Sequence, residues 1–129
     1  MILVDTHVLL WMSSEPQKLS KAARESIRQA RSATGVAVTT FTLWELAWLA
    51  QNGRIVVSAG PENFVTEAVS RVIVKAMTPQ IVALAVRLPA TFPKDPADRV
   101  IAATAILEGI PLVTADQRIR ESGLVETIW

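Results

Sequence analysis

Apolar residues in this chain fall into short runs that alternate with longer helical patterns. Met1-Ile2-Leu3-Val4 is a brief apolar run ending in Asp5, the mark of a buried strand feeding a turn. Val8–Met12 predicts a first helical turn or two, ended near Pro16. Ser20 is placed to cap a helix running to about Arg31. Gly35–Val38 is a second short strand, and Thr40 to about Gln51 reads as helix until Asn52-Gly53 stops it. Arg54–Val57 suggests a short extended piece. Pro61–Ser70 predicts a helix with proline near its first turn. Val72–Lys75 is brief and β-branched, hence strand, and Pro79–Leu88 is helix. Pro89–Pro93 is an irregular loop, after which Asp95-Pro96 opens a helix ending at Glu108-Gly109. Pro111–Thr114 is strand, Ala115–Glu121 a short helix and Val125–Ile128 a last strand.

Short apolar strands alternating with amphipathic helices predict an α/β domain with a mainly parallel sheet, helices lying on both faces through right-handed crossovers. Ligands in such folds gather outside the carboxyl ends of the strands. No repeat, low-complexity segment or linker divides the chain, so residues 1–129 are expected to form one domain.

Composition narrows the chemistry. Half of the residues are hydrophobic, so a packed core is expected, burying about 65–70% of the unfolded surface. A formal charge of +1 does not announce a nucleic-acid binder, so any such binding must come from local patches. The absence of cysteine excludes disulfides, thiolate metal sites and a cysteine nucleophile. A single histidine, His7, argues against a nitrogen-rich zinc site. The N-terminal apolar run lacks a basic segment and contains Asp5 and His7, unlike a signal peptide. No apolar stretch approaches the ~20 residues that span a bilayer. A soluble, cytoplasmic protein is expected.

Four acids are candidates for catalysis, and each has an ordinary structural role open to it. Asp5 follows the first strand and could simply cap the next helix. Glu45 is the only charge between Thr39 and Gln51, and Thr42-Leu43-Trp44-Glu45 fits a capping box with Glu at N3. Asp98 follows the better cap, Asp95, and favours the helix dipole. Asp116 could also be a cap. Taken together they say more. Asp5 and Asp116 fall at strand carboxyl ends, while Glu45 and Asp98 belong to first turns of helices following loops on that edge. Four carboxylates converging on one rim would repel one another unless cations offset them. Oxygen ligands without sulfur suit Mg²⁺ or Mn²⁺, which can activate water and stabilise the developing charge of a phosphodiester.

Four blocks then carry a resemblance: Val4-Asp5-Thr6-His7-Val8-Leu9-Leu10-Trp11, Thr42-Leu43-Trp44-Glu45-Leu46-Ala47, Asp95-Pro96-Ala97-Asp98-Arg99-Val100-Ile101-Ala102-Ala103-Thr104-Ala105, and Leu112-Val113-Thr114-Ala115-Asp116. In this order and over nearly the whole chain, they resemble the PIN-domain nucleases, most closely the VapC toxins of bacterial type II (VapBC) toxin–antitoxin modules. The resemblance implies an α/β/α sandwich and a metal-dependent endoribonuclease. It also implies a homodimer and a cognate VapB-type antitoxin. Asp5, Glu45, Asp98 and Asp116 match the family's acidic quartet, and Thr114 a hydroxyl often found beside the last acid. Trp48-Leu49 and Ala97 stand where relatives often carry a basic residue and an aromatic, a difference that bears on substrate contacts.

On this reading Asp5, Asp98 and Asp116 hold Mg²⁺ or Mn²⁺, and Glu45 completes the shell or orients the attacking water. In-line attack would leave a 5′-phosphate and a 3′-hydroxyl. The ribose 2′-OH takes no part, so the preference for RNA rests on the resemblance. Lys94, Arg99 and Arg118 are candidate substrate contacts, with Arg120 close to them in sequence, and Thr6, Asp95 and Thr114 are candidate supports of the acids. Lys18, Lys21, Arg24, Arg28 and Arg31 recur at helical spacing and are read as a solvated face rather than a phosphate rail. His7 is read as packed or hydrogen-bonded rather than catalytic. Helix 40–51, with Phe41, Leu43, Trp44, Leu46, Trp48 and Leu49, is expected to lie partly at a dimer or partner interface. Two competing classes are a catalytically silent, protein-binding PIN module and a phosphoacceptor receiver domain. The latter would want paired acids after the first strand and a lysine at a late strand end, and neither is present.

Overall fold

The computed structural model describes all 129 residues. Its strands are β1 (Ile2–Val4), β2 (Val36–Thr39), β3 (Ile73–Lys75), β4 (Leu112–Val113) and β5 (Thr127–Ile128). They form a single parallel sheet in the order β3-β2-β1-β4-β5. Between them run α1 (Thr6–Ser14), α2 (Lys21–Ser32), α3 (Thr40–Gln51), α4 (Gly60–Ala68), α5 (Pro79–Arg87), α6 (Pro96–Glu108) and α7 (Gln117–Glu121). The predicted α/β class and parallel sheet are therefore observed. Arg54–Val57 forms turns and irregular backbone instead of an extended piece. No helix is long and apolar enough to cross a membrane.

The alternation of side chains along each strand builds two cores. Ile2 and Val4 of β1, Val36 and Val38 of β2 and Val113 of β4 face one side, against Val8 and Leu9 of α1, Ala23 and Ile27 of α2 and Leu46 of α3. Leu3, Ala37 and Leu112 face the other, against Ile101, Ala102 and Ala105 of α6 and Ile119 of α7. Each fully buried aliphatic side chain in these layers contributes about 1.5–3 kcal/mol. The outcome is an α/β/α sandwich, with α5 packed outside α6 through Ile81, Ala85, Val100 and Ala103.

Two glycines are needed where they stand. Gly109 ends α6 with φ of 64° in the left-handed region, where a Cβ would be strained. Gly35 enters β2 at φ 102°, and a Cβ there would lie 2.8 Å from Ile73 Cδ1 on the neighbouring strand.

The sheet order has one consequence for function. The chain leaves β1 towards β2 and β3, then returns to the opposite side of β1 as β4. Strands β1 and β4 are thus the neighbours between which the winding reverses, and the crevice at their carboxyl ends is where such sheets take ligands.

Candidate active site

Asp5 and Asp116 sit at that crevice, just beyond β1 and β4. Each is also a helix cap. Asp5 Oδ1 accepts from the Val8 amide at 2.8 Å, and Asp116 Oδ1 accepts from the amides of Arg118 at 2.9 Å and Ile119 at 3.4 Å. Capping fixes the direction of both carboxylates and leaves oxygen lone pairs for the crevice. Thr114, fully buried, accepts from the Asp116 amide at 3.1 Å and shapes the turn from β4 into α7.

Glu45 reaches the crevice by a route the sequence pattern did not give. The N-cap of α3 is Thr39, whose hydroxyl accepts from the Thr42 amide at 3.3 Å. Glu45 therefore lies in the second turn of α3 and takes no part in a capping box. Its Oε1 instead accepts a hydrogen bond of 2.5 Å from the Thr6 hydroxyl. Thr6 is in turn 3.2 Å from the Thr42 hydroxyl, which is 3.5 Å from that of Thr39. Three buried hydroxyls thus form a row ending on Glu45. With one proton each, they satisfy one another only in sequence.

Asp98 is different in kind. Its helix is capped by Asp95, which accepts from the amides of Ala97 at 2.8 Å and Asp98 at 3.2 Å. The Asp98 carboxylate therefore caps nothing, and no group of the chain donates to it. Burial first, and then the charges of Asp95, Asp116, Glu45 and Asp5, push its pKa up to about 7.

Asp5, Thr6, Glu45, Asp95, Asp98, Asp116 and Arg118 line one cleft of about 430 Å³, together with His7, Trp11, Ile101 and Ala115. Burial raises the pKa of Asp5; the Thr114 hydroxyl, the Val8 amide and His7 pull it back, and Asp116 adds to the rise. Burial likewise raises Glu45, opposed by Thr6 and His7 and reinforced by Asp95 and Asp5. For Asp116 burial is the largest single influence and raises the pKa. The Arg118 guanidinium and amide and the Ile119 amide together outweigh it, holding the carboxyl below its ordinary value. A larger cleft, about 580 Å³ between α1 and α4, contains none of the candidate site residues.

The donor set is chemically suited to a hard divalent cation: carboxylate oxygens, three of the carboxyls with pKa values raised by burial and further by the charge of neighbouring acids, and no sulfur. The acids ring the cleft, and as they stand no three close on a point tightly enough to enclose an ion. The residues fit the group in the kind of atom they offer.

The remaining candidates divide. Arg118 lines the cleft and pairs with Asp116 Oδ2 at 3.2 Å while staying largely exposed. Lys94 is exposed and outside the cleft lining. The expectation that Arg99 contacts substrate is overturned. Its guanidinium donates to the carbonyls of Pro93 at 2.9 Å, Leu88 at 2.9 Å, Pro89 at 3.0 Å, Ala85 at 3.2 Å and Phe92 at 3.3 Å. All its donors are spent on fastening the loop between α5 and α6. The basic residues 18–31 are exposed, Glu25 engages Arg28 at 2.6 Å and Glu15 engages Lys18 at 2.6 Å. None of them lines the cleft, which matches a solvated face. His7, expected to be packed or hydrogen-bonded, is exposed at the cleft, with the Trp11 ring 6.1 Å from its own. The sequence reading made Thr42 a helix cap and gave Trp11 no role, so their places beside Glu45 and in the cleft wall were missed. The spacing Thr39, Thr42, Glu45 held the signal for the first, and the helical spacing of His7 and Trp11 for the second.

Known proteins share the family and the fold. Residues 2–123 match the family model described as PIN domain. The chain is 44% identical over 119 residues to Ribonuclease VapC22 of Mycobacterium tuberculosis, covering 92% of this chain and 89% of that protein. Similar folds occur in VapBC2 from Rickettsia felis bound to a DNA fragment from its promoter, with a TM-score of 0.74 at 14% identity over 98% of this chain and 97% of that one. They occur also in DNA-bound VapBC from Salmonella typhimurium, with a TM-score of 0.72 at 21% identity over the same shares, 98% and 97%.

Proposed function

The chain belongs to the PIN-domain family, among its VapC-type nucleases, and from that premise we propose that it is a metal-dependent endoribonuclease, the toxin of a type II toxin–antitoxin module acting in the cytoplasm. The observation that carries the reading is Asp98: a carboxylate with no hydrogen-bond donor, facing a cleft shared with four other acids, its pKa raised to about 7 by burial first and then by their charges. Its place in the first turn of α6 suits the helix dipole, but no hydrogen bond of the fold depends on it.

Asp5, Asp98 and Asp116 would hold the cation, Mg²⁺ or Mn²⁺. When bound, it would supply the charge that offsets the acids, activate water and stabilise the phosphodiester's developing charge. The work of the chain lies around that. Caps at Val8 and at Arg118 and Ile119 hold two of the carboxylates in fixed directions. Thr6 fixes Glu45 so that its carboxylate orients the attacking water. Arg118, on the solvent side of Asp116, meets the phosphate. In-line displacement then leaves a 5′-phosphate and a 3′-hydroxyl.

Two partners belong to the proposal. Trp44 and Trp48 on α3 are 60% and 43% exposed, and Val86 on α5 is 78% exposed. Apolar surface of this kind supports a homodimer. The cleft between α1 and α4, floored by Leu9, Leu10, Phe64 and Val72, supports docking of a small VapB-type antitoxin.

The test is cleavage of RNA and of DNA of the same sequence by the purified protein with Mg²⁺, with Mn²⁺ and with EDTA, beside Asp98→Asn. Cleavage of RNA alone, lost in EDTA and in the variant, is the expected result. Full activity in chelator overturns the metal mechanism, and wild-type protein inert with every metal leaves a silent protein-binding module.

A further inference from the structure

On the reading above, Asp5, Glu45, Asp98 and Asp116 meet a phosphodiester and its cation, and none of them addresses a base. The α1 wall of the same cleft is made differently. His7 and Trp11, four residues apart on one face of α1, both line it. Their rings lie 6.1 Å apart, tilted by 50°. Trp11 is backed by Trp129, 6.0 Å away at 55°, and Lys18 Nζ stands 5.6 Å from the Trp11 ring. Three rings thus run in a row from the C-terminal residue to the cleft, and the last of them, His7, is exposed and makes no hydrogen bond.

A lone surface histidine needs no explanation. This one is held by a supported aromatic row, and it stands two residues from Asp5, whose carboxylate caps the same helix. With 1.5 Å of rise per residue, His7 and Trp11 lie about 3 and 9 Å further along the axis than Asp5. That is within reach of a nucleotide whose phosphate sits among the acids. Aromatic surfaces beside a phosphate site are how single-stranded RNA is gripped, because every unpaired base offers a face to stack.

Resting on the ribonuclease reading above, we propose that His7, supported by Trp11, is a stacking subsite for one unpaired nucleobase adjacent to the scissile phosphodiester. Its class of ligand is the planar base of single-stranded RNA. Arg118 on the Asp116 side and the rings on the α1 side would then give the cleft two unlike walls, one for phosphate and one for base. A duplex, whose bases are already stacked, would be excluded from the ring wall.

The test uses an oligoribonucleotide that the wild-type protein cleaves with Mn²⁺, and a series in which one abasic residue is walked through the positions flanking the cut. KM and kcat are measured for wild type, His7→Ala, His7→Phe and Trp11→Phe. His7 is exposed, so its variants should fold, and matched melting curves check this. The expected result is a KM raised roughly 5- to 150-fold in His7→Ala, little change in kcat, and recovery in His7→Phe. The penalty should vanish when the abasic residue occupies one particular position, because the missing base and the missing ring then remove the same contact. An unchanged KM in His7→Ala, or a penalty that persists at every abasic position, overturns the subsite. A wild-type protein that cleaves no RNA overturns the ribonuclease reading itself and the subsite with it, an outcome told apart by the first measurement.

Discussion

The Thr6 hydroxyl donates to Glu45 Oε1 at 2.5 Å, tying the first turn of α1 to the second turn of α3. One oxygen of Glu45 is thereby held inward and the other is left to the cleft. Thr6→Val keeps the shape but removes the donor, and leaves the buried Thr42 hydroxyl with Thr39 alone of its two hydroxyl neighbours. The expected costs are about 1–3 kcal/mol of stability and roughly 10- to 100-fold in metal affinity or activity, the usual effect of losing a group that orients a metal-site carboxylate. Thr6→Ser should restore both. Urea unfolding and Mn²⁺ titration check them separately, and equal activity in Thr6→Val would remove Thr6 from the site.

Arg99 should be a stability residue. Its charge is met by the five carbonyls of Ala85, Leu88, Pro89, Phe92 and Pro93, and its Cζ lies 5.9 Å from the Phe92 ring centre. Arg99→Ala should cost about 2–5 kcal/mol, and Arg99→Lys should recover little, since an ammonium has three donors and no planar fork. Lys94→Ala, at an exposed position, should stay within about 0.5 kcal/mol of wild type. Urea midpoints at constant slope decide between them.

What the sequence made legible follows from what each pattern encodes. An unbroken apolar run marks a strand buried on both faces, so a parallel sheet with helices on both sides could be read from runs such as Ile2-Leu3-Val4. Asp5 and Asp116 were legible because they follow apolar strands directly. Glu45 was placed at the right edge for the wrong reason. Thr39 and Thr42 can both cap a helix, and the spacing from Thr42 to Glu45 imitates a capping box; only the true end of β2, at Thr39, decides between them. Arg99 was misread because proximity in sequence does not fix direction. A helix turns about 100° per residue, so the neighbour of Asp98 points away from the cleft.

The metal-free protein should lose stability as pH rises through the acid to neutral range. The Asp98 pKa lies at about 7 in the fold against 3.8 as its ordinary value. Between those values the folded state keeps a proton that the unfolded state has released. Stability is therefore highest below the unfolded pKa and falls until the folded pKa is passed. Asp5 and Glu45, also raised, act in the same direction. Asp116, lowered, acts oppositely and only at pH below its ordinary value. Melting temperatures in EDTA should decline from pH 5 to pH 7.5, Asp98→Asn should flatten the decline, and Mn²⁺ should raise the melting temperature most at the upper end. A profile that rises with pH would contradict the raised carboxyl pKa values of the cleft.

Substitution of the acids one at a time separates catalysis from capping. Asp5→Asn, Asp98→Asn and Asp116→Asn should each abolish cleavage, because an amide oxygen binds a hard cation far more weakly than a carboxylate. Their effects on folding should differ. Asparagine caps helices about as well as aspartate, so Asp5→Asn and Asp116→Asn should keep the bonds to the Val8, Arg118 and Ile119 amides and melt near wild type. Asp98 caps nothing, and its loss relieves repulsion from four acids. Asp98→Asn should therefore melt higher than wild type in EDTA at pH 8, while losing the gain that Mn²⁺ confers on the wild type. Asp95→Ala removes the true cap of α6, whose carboxylate accepts from the Ala97 and Asp98 amides. It should cost about 0.5–2 kcal/mol yet leave cleavage measurable. Melting curves with and without Mn²⁺, set beside initial cleavage rates, resolve all four. An Asp98→Asn protein that is less stable than wild type without metal and still cleaves RNA would make Asp98 a structural residue, and the proposed cation would lose its central ligand.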